Sequence, residues 1–328
     1  MQTILVTGGA GYIGSHAVRV LKRAGFEPVI YDNFSRGHRQ AVEGFNVVEG
    51  DTYDSEKLRK VMEEFKPTAV MHFAAHSQVG ESVEKPAIYY GNNVRSGLVL
   101  LETTREAGIE YFIFSSSAAV YEEPDQVPIK EDHPLKPANP YGETKVVFER
   151  ALKYYGQAYG MKSVSLRYFN AAGATEGGEI GEDHDPETHL VPLVIKAALG
   201  QREKLTVFGD DYPTGDGTAV RDYIHVDDLA DAHLLALEVL LKGGESAVYN
   251  LGNGKGYSVM DVIRAVENGT GLKVPFDTGP RRAGDPAVLV ASAKKAKAEL
   301  GWSPEHADLG TIVESAYLWH KDHPEGFI

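Results

Sequence analysis

The sequence predicts an α/β fold: a doubly wound parallel sheet followed by a smaller, mixed α/β C-terminal part. Three observations predict it. Short apolar runs alternate with helix-period segments through the first half of the chain. A glycine loop, Thr7-Gly8-Gly9-Ala10-Gly11-Tyr12-Ile13-Gly14, follows the first of those runs and opens the first helix. After Phe169-Asn170 the alternation gives way to a glycine- and acid-rich stretch, then to shorter mixed elements.

In chain order, residues 4–7 form the first strand and 13–24 the first helix, with Gly25 where a C-terminal cap glycine belongs. Strands follow at 28–32 and 46–51, a helix at 55–65 and a fourth strand at 68–73. Residues 93–107 read as a helix with Val94, Leu98 and Leu101 on one face and Gly108 past its end. A fifth strand at 111–114 leads into Ser115-Ser116-Ser117, a helix carries Tyr141 and Lys145 to about Tyr159, and 162–168 is a sixth strand. Residues 171–189 lack periodicity and read as a long loop, which in a compact domain is usually functional or mobile. Residues 227–241 are a helix with acidic residues at its start. Residues 243–328 hold Pro/Gly turns, a helix near 258–270 and a last helix near 309–320.

At 328 residues the chain is long enough for one large or two fused domains, and 42% hydrophobic with 24% charged residues is ordinary globular composition. The net charge of −14 argues against nucleic-acid binding. With no cysteine there is no disulfide, thiol catalysis or Cys-ligated zinc. The first residues run straight into a strand with no signal peptide before it, and no apolar run approaches the ~20 residues of a membrane span, so the expected location is cytoplasmic.

The glycine spacing Gly8, Gly11, Gly14 suits a tight turn that seats a dinucleotide pyrophosphate on a helix N-terminus, the Rossmann arrangement. Alone it is a weak signal; strand before and helix after strengthen it. Asp32, ending the second strand, can accept both ribose hydroxyls and repel a 2′-phosphate, which favours NAD over NADP; Arg36 and Arg39 just beyond weaken that exclusion. Asp51 can accept an adenine amino group, though alone it reads as a turn residue. Tyr141 and Lys145 stand four apart and share a helix face, where an ammonium lowers a phenol pKa from about 10 toward that of a general base. Ser117 follows a strand, at the sheet edge where ligands bind. Arg221 and Arg282 have the fork that suits phosphate, while any single arginine reads by default as a solvated charge. His184 and His189 flank an acidic stretch but lack zinc-ligand spacing, so no metal is expected; His133, His306, His320 and His323 are expected to be exposed.

From Thr3 to about Gly326 the chain resembles the extended short-chain dehydrogenase/reductase family, and within it the UDP-sugar 4-epimerases. The resemblance rests on the glycine loop, Tyr31-Asp32-Asn33, Glu49-Gly50-Asp51, His72-Phe73-Ala74-Ala75, Val79-Gly80-Glu81-Ser82-Val83, Phe114 to Tyr121, Tyr141-Gly142-Glu143-Thr144-Lys145 and Leu166-Arg167-Tyr168-Phe169-Asn170. The segment from Phe208 to Val226, then Tyr249-Asn250-Leu251-Gly252 and Arg281-Arg282-Ala283-Gly284-Asp285-Pro286, extend it. The resemblance implies a catalytic triad of Ser117, Tyr141 and Lys145. It implies NAD contacts at Gly8, Gly11, Tyr12, Ile13, Gly14, Asp32, Asn33, Asp51, Phe73, Ala74, Ala75, Asn92, Tyr141, Lys145 and Tyr168. It implies UDP-sugar contacts at Ser117, Tyr141, Asn170, Arg221, Arg282 and Asp285, with His189, Leu190, Thr206, Val207 and Phe208 at the uracil pocket.

The chain departs from the family pattern at Glu122 (usually glycine), Ser77 (Lys in some members) and His189 (Asn in others). Leu289 takes a position linked to acceptance of N-acetylated sugars. Ser117-Ala118-Ala119-Val120 lacks the acid that related dehydratases place after the strand-end hydroxyl. The implied activity is reversible C4 epimerisation of a UDP-hexose, UDP-glucose or UDP-galactose, through a 4-keto intermediate. The alternatives are a 4-epimerase of another UDP-sugar (N-acetylhexosamine, uronate or pentose) and a non-catalytic nucleotide-binding sensor on the same fold. The implied division is an NAD-binding domain of 1–170 plus about 222–252, and a UDP-sugar domain of 171–221 and 253–328. The family pairs through the helices near 93–107 and 144–159, which implies a homodimer.

Overall fold

The computed structural model describes residues 1–121, 124–282 and 285–327; Glu122 and the Ala283-Gly284 pair compared above lie outside them. The first half runs β1 (Thr3–Thr7), α1 (Tyr12–Arg23), β2 (Glu27–Asp32), β3 (Asn46–Glu49), α2 (Ser55–Phe65), β4 (Ala69–His72), α3 (Val79–Glu84), α4 (Pro86–Tyr89), α5 (Gly97–Glu106), β5 (Tyr111–Ser115), α6 (Pro140–Tyr159) and β6 (Lys162–Tyr168). The second half adds β7 (Asn170–Ala172), α7 (Leu190–Ala198), β8 (Leu205–Phe208), β9 (Val220–Arg221), β10 (Tyr223–His225), α8 (Val226–Leu241), β11 (Ala247–Leu251), β12 (Tyr257–Ser258), α9 (Val259–Thr270), β13 (Phe276–Gly279), β14 (Val288–Leu289), α10 (Lys294–Glu299) and α11 (Leu309–Asp322).

Seven strands form one sheet in the order β11-β6-β5-β4-β1-β2-β3, and every neighbouring pair is parallel. The chain starts at β1, steps outward to β3, then returns to lay β4 on the other side of β1. That reversal opens a crevice at the carboxyl ends of β1 and β4, the place where such sheets bind ligands.

Strand alternation assigns each side chain to a layer. Ile4, Val6, Met71 and Ile113 pack with Leu21, Leu229 and Leu237 under α1 and α8. Leu5, Val70, Phe112 and Phe114 point the other way, onto Leu58, Leu100, Phe148 and Leu152 of α2, α5 and α6. A separate core of Val191, Val194, Ile195, Val207, Val262, Val266 and Ile312 joins α7, β8, α9 and α11. The helix ends follow local chemistry. Asn139 caps α6, its side chain accepting from Gly142 N–H, and Pro140 occupies the first turn. Gly25, at φ 86°, closes α1 with Phe26 N–H bonded to the Leu21 carbonyl.

Two sequence expectations change here. Residues 93–107 are not one α-helix: Tyr90–Ser96 is a π-helical turn that precedes α5. The wider turn shifts the phase of everything after it. The buried face is therefore Gly97, Leu100, Leu101, Thr103 and Thr104, and Leu98 is 36% exposed. The turn brings Asn93 inside, where it bonds both the amide and the carbonyl of His76 and the Thr144 hydroxyl. The loop expected from 171 begins only after β7, which pairs in parallel with β10. No helix among the described residues is long and apolar enough to cross a membrane.

Candidate active site

At the crevice, Gly8 adopts φ 72°, and a Cβ there would come 2.4 Å from Ala74 N. A Cβ on Gly14 would lie 2.2 Å from the Gly8 carbonyl. Both positions demand glycine because the chain itself approaches so closely. Helix α1 begins with no side-chain cap and no acidic residue in its first turn. Its uncapped N–H groups suit an anion. Asp32 is held at the end of β2 by Ala10 N–H and Phe34 N–H, both at 2.9 Å. Burial raises its pKa, against those backbone donors. The cavity beside it is lined by Gly8, Gly11, Asp32, Asn33, Phe73, Ala74, Ala75 and Asn92. Asp51 is not among the lining groups, although Gly50 and Thr52 on either side are; it accepts from Asn33 Nδ2 at 2.9 Å. Arg36 also lines this cavity while donating to the Asp185 carbonyl, and Arg39 pairs with Glu49. An uncapped helix start, a fixed strand-end carboxylate and a cavity between them fit a dinucleotide with a free 2′-hydroxyl.

The catalytic candidates converge beside that cavity. A Cβ on Gly142 would fall 2.0 Å from the Ala119 carbonyl, so this glycine lets α6 press against the turn after Ser117. Ser117 faces the Tyr141 phenol, where its hydroxyl favours the ionised form, and its oxygen accepts from Ala119 N–H at 3.1 Å. Lys145 Nζ donates to the Ser115 carbonyl at 2.8 Å and stands 5.7 Å from the Tyr141 ring centre. The Tyr168 hydroxyl meets Ser115 Oγ. The electrostatics differ from the sequence expectation. Burial raises the Tyr141 pKa, against the Ser117 bond, and burial pushes Lys145 down to about 7, against the field of Glu149. Desolvation therefore dominates both groups, outweighing Ser117 at the phenol and Glu149 at the ammonium.

Beneath these groups lies a network that no linear pattern announces. Glu149, one turn past Lys145, accepts from Ser116 Oγ at 2.6 Å and from Arg167 Nε and a terminal nitrogen at 2.9 and 2.5 Å. Arg167 donates also to the Tyr121 hydroxyl at 2.8 Å, which in turn donates to Asn250 Oδ1 at 2.7 Å. Glu149 and Arg167 are 8% and 4% exposed. Two members adjoin candidate site residues: Ser116 precedes Ser117, and Arg167 precedes Tyr168. The available signals were the i, i+4 step from Lys145 and a lone arginine inside an apolar strand.

The substrate candidates fall into two groups. Arg221 pairs with Asp285, and the Arg282 guanidinium lies 4.2 Å from the Phe208 ring centre. Arg282 and Asp285 line a second cavity with Tyr212 and Arg281. Asn170 Nδ2 donates to the Asp222 carbonyl at 3.0 Å. Thr206 and Phe208 are half-buried on β8, whereas the Val207 side chain is in the core and can offer a ligand only its backbone. Leu289 is level with Arg221 across β14 and β9 and packs on the Ala118, Val120 and Tyr121 cluster, linking the two groups.

His189 occupies the N-cap position of α7 without a side-chain cap bond, just before Leu190 and beside Glu182 at 2.7 Å and Glu187 at 3.1 Å. His184 stands 3.1 Å from the same Glu182 oxygen. Burial opposes protonation, but the two carboxylates win and hold His189 well above the usual imidazole range and His184 at about 9. Tyr12 donates to the Gly173 carbonyl at 2.6 Å and presents its ring edge-on to His184, so the glycine loop touches this segment. His320, expected to be exposed, is 3% exposed; its polar sequence neighbours concealed its position on the inner face of α11. His133, His306 and His323 are half-buried.

Residues 4–252 match the NAD dependent epimerase/dehydratase family. The chain belongs to that family. It is 51% identical to the UDP-glucose 4-epimerase of Halalkalibacterium halodurans, covering 99% of this chain and 98% of that protein. The solved UDP-glucose 4-epimerase of Brucella ovis in complex with NAD superposes with a TM-score of 0.95 at 48% identity, covering 97% of this chain and 98% of that one. The Bifidobacterium longum UDP-glucose 4-epimerase in complex with NAD+ and UDP gives 0.95 at 40% identity, covering 99% and 100%.

Proposed function

We propose that this epimerase-family protein interconverts UDP-glucose and UDP-galactose at C4, with NAD as its resident cofactor. The observation that carries the reading is the convergence of Ser117, Tyr141 and Lys145 at the sheet edge beside the glycine-loop cavity. Full-length likeness to UDP-glucose 4-epimerases supports it.

The uncapped start of α1 holds the NAD pyrophosphate and Asp32 the adenosine ribose. NAD, when bound there, would supply reversible hydride-transfer chemistry at C4. Tyr141, entering the step as a phenolate, takes the O4 proton as C4 becomes a carbonyl and gives it back on reduction. Ser117 shares the hydrogen bond that stabilises the phenolate. Lys145, its pKa lowered by burial to about 7, faces that phenolate with a positive charge in its ammonium form. Arg282 with Phe208, and Arg221 with Asp285, grip the UDP end while the 4-keto sugar turns over. Binding energy from a remote group thus serves a reacting ring that must stay loosely held. Ser117-Ala118-Ala119-Val120 offers no acid to expel another hydroxyl, so the chemistry stays at C4.

The reading extends to a homodimer through α5 and α6, where Leu98, Tyr154 and Tyr159 are exposed. It also extends to the division into an NAD-binding part and a UDP-sugar part around the separate α7/α9/α11 core. The test is incubation of the purified protein with UDP-galactose and separation of the products. UDP-glucose should form, and Tyr141→Phe should lose most of the rate while still binding UDP. Absence of any C4 epimer from UDP-galactose and from UDP-glucose would overturn the proposal.

A further inference from the structure

We propose that Glu182, His184, Glu187 and His189 form a divalent transition-metal site of the zinc class. One donor atom from each of the four lies within 4.8 Å of all the others. His184 Nδ1 and His189 Nδ1 face the same Glu182 oxygen at 3.1 and 2.7 Å. Glu187 stands 3.1 Å from His189 Nδ1 through one oxygen and 3.8 Å from His184 Nδ1 through the other. Zinc bound tetrahedrally at ~2.0–2.1 Å sets its ligand atoms ~3.3 Å apart. The four separations, which involve both Glu187 oxygens, bracket that edge, and the whole donor set lies within 4.8 Å, so the side chains must draw in to close the shell. Two imidazoles and two carboxylates make a neutral site with a dication, a donor set that zinc takes readily.

A second observation points to a ligand. The Glu182 and Glu187 side chains are only 3% and 5% exposed. Glu187 Oε2 is buried and has no hydrogen-bond partner among the described residues. A buried carboxylate oxygen without a donor is unfavourable. Two protonated imidazoles would balance the charge of the carboxylates but would still leave that oxygen unbonded, whereas a cation inside the cluster satisfies it. The ligands sit in a loop without helix or strand, apart from His189 at the start of α7. Trp319 Nε1 bonds the Glu182 carbonyl at 3.0 Å and anchors the cluster to α11. A metal here is structural: it pins the segment that touches Tyr12 of the glycine loop.

The experiment needs no epimerase activity. The full chain, stripped with a chelator and titrated with Zn²⁺, should bind one equivalent, and its unfolding midpoint should rise by a few degrees. Co²⁺ in its place should give the strong visible bands of a tetrahedral ion. His184→Ala should abolish the equivalent and the bands. The near-isosteric Glu187→Gln, checked for fold by circular dichroism, should weaken binding at least tenfold. No stoichiometric zinc in wild type, or binding in His184→Ala and Glu187→Gln equal to that in wild type (an adventitious ion only), would overturn the assignment.

Discussion

Replacing Glu149 by Gln tests whether the buried network beneath the catalytic helix holds the site in its working state. The amide has nearly the carboxylate's shape, so no cavity opens. It removes the charge that compensates Arg167, and it turns an NH2 toward a guanidinium or toward the Ser116 hydroxyl that now donates to Glu149 Oε1. Removing one partner of a buried ion pair costs about 3–5 kcal/mol, because the remaining charge stays buried. For a chain of this size that corresponds to a fall in melting temperature of about 4–7 °C. Lys145 should respond as well. Burial has pushed it down to about 7 and Glu149 opposes that shift, so its pKa drops further in the variant. If the protonated lysine supports catalysis, activity is lost as pH rises through its pKa, and in Glu149→Gln the alkaline limb of kcat/KM moves to lower pH. Arg167→Met in the same chain should recover much of the stability, because it removes the orphaned charge, but not the pH profile. Differential scanning calorimetry and a pH–rate profile read the two effects separately. A variant with wild-type melting temperature and an unmoved alkaline limb would refute the reasoning.

Three other outcomes are expected. Asp32→Ala should weaken NAD and narrow its preference over NADP, as the repulsion of a 2′-phosphate is removed; an unchanged ratio of the two affinities would reduce Asp32 to a turn residue. Leu289, level with Arg221 and packed near Ala118, leaves room beside the sugar that a Tyr would fill. Some activity on UDP-N-acetylglucosamine is expected in wild type, worth roughly 1–3 kcal/mol of discrimination, with loss in Leu289→Tyr; equal rates in both would place the gate elsewhere. Burial holds His72 at about 3 and His225, His233 and His320 at about 4, so they stay neutral in the folded chain while an unfolded histidine titrates near 6.5. The unfolded state then binds more protons between about pH 6.5 and 4, and stability should fall across that window; a melting temperature that is flat or rises on acidification from 6.5 to 5 would contradict these values.

The parts of the site that could be read from sequence are those whose geometry is local. The glycine loop, Asp32 at a strand end and the Tyr141–Lys145 step each fix their own arrangement within one turn or one strand. The helix at 55–65 and the strand at 162–168 were equally plain, since their periodicities are unbroken. The π-helical turn before α5 misled the reading because it keeps apolar residues at helical spacing while rotating them, so Leu98 faces outward and Asn93 inward. The sign of the Tyr141 shift was misread because spacing reveals the neighbouring cation and says nothing of burial. Glu149 with Arg167, and the Glu182–His189 cluster, depend on tertiary contacts or on an aperiodic loop, where no sequence period exists to be read.

The central claim is that hydride leaves and returns to the same C4 while Tyr141 moves only the O4 proton. The direct measurement is conversion of UDP-galactose deuterated at C4, in ordinary water, followed by mass and NMR analysis of the UDP-glucose formed. The mechanism predicts full retention of deuterium at C4, with a strongly slowed but equally retentive reaction in Tyr141→Phe. Washout of the label into solvent would contradict it, because the C4 hydrogen would then have left as a proton.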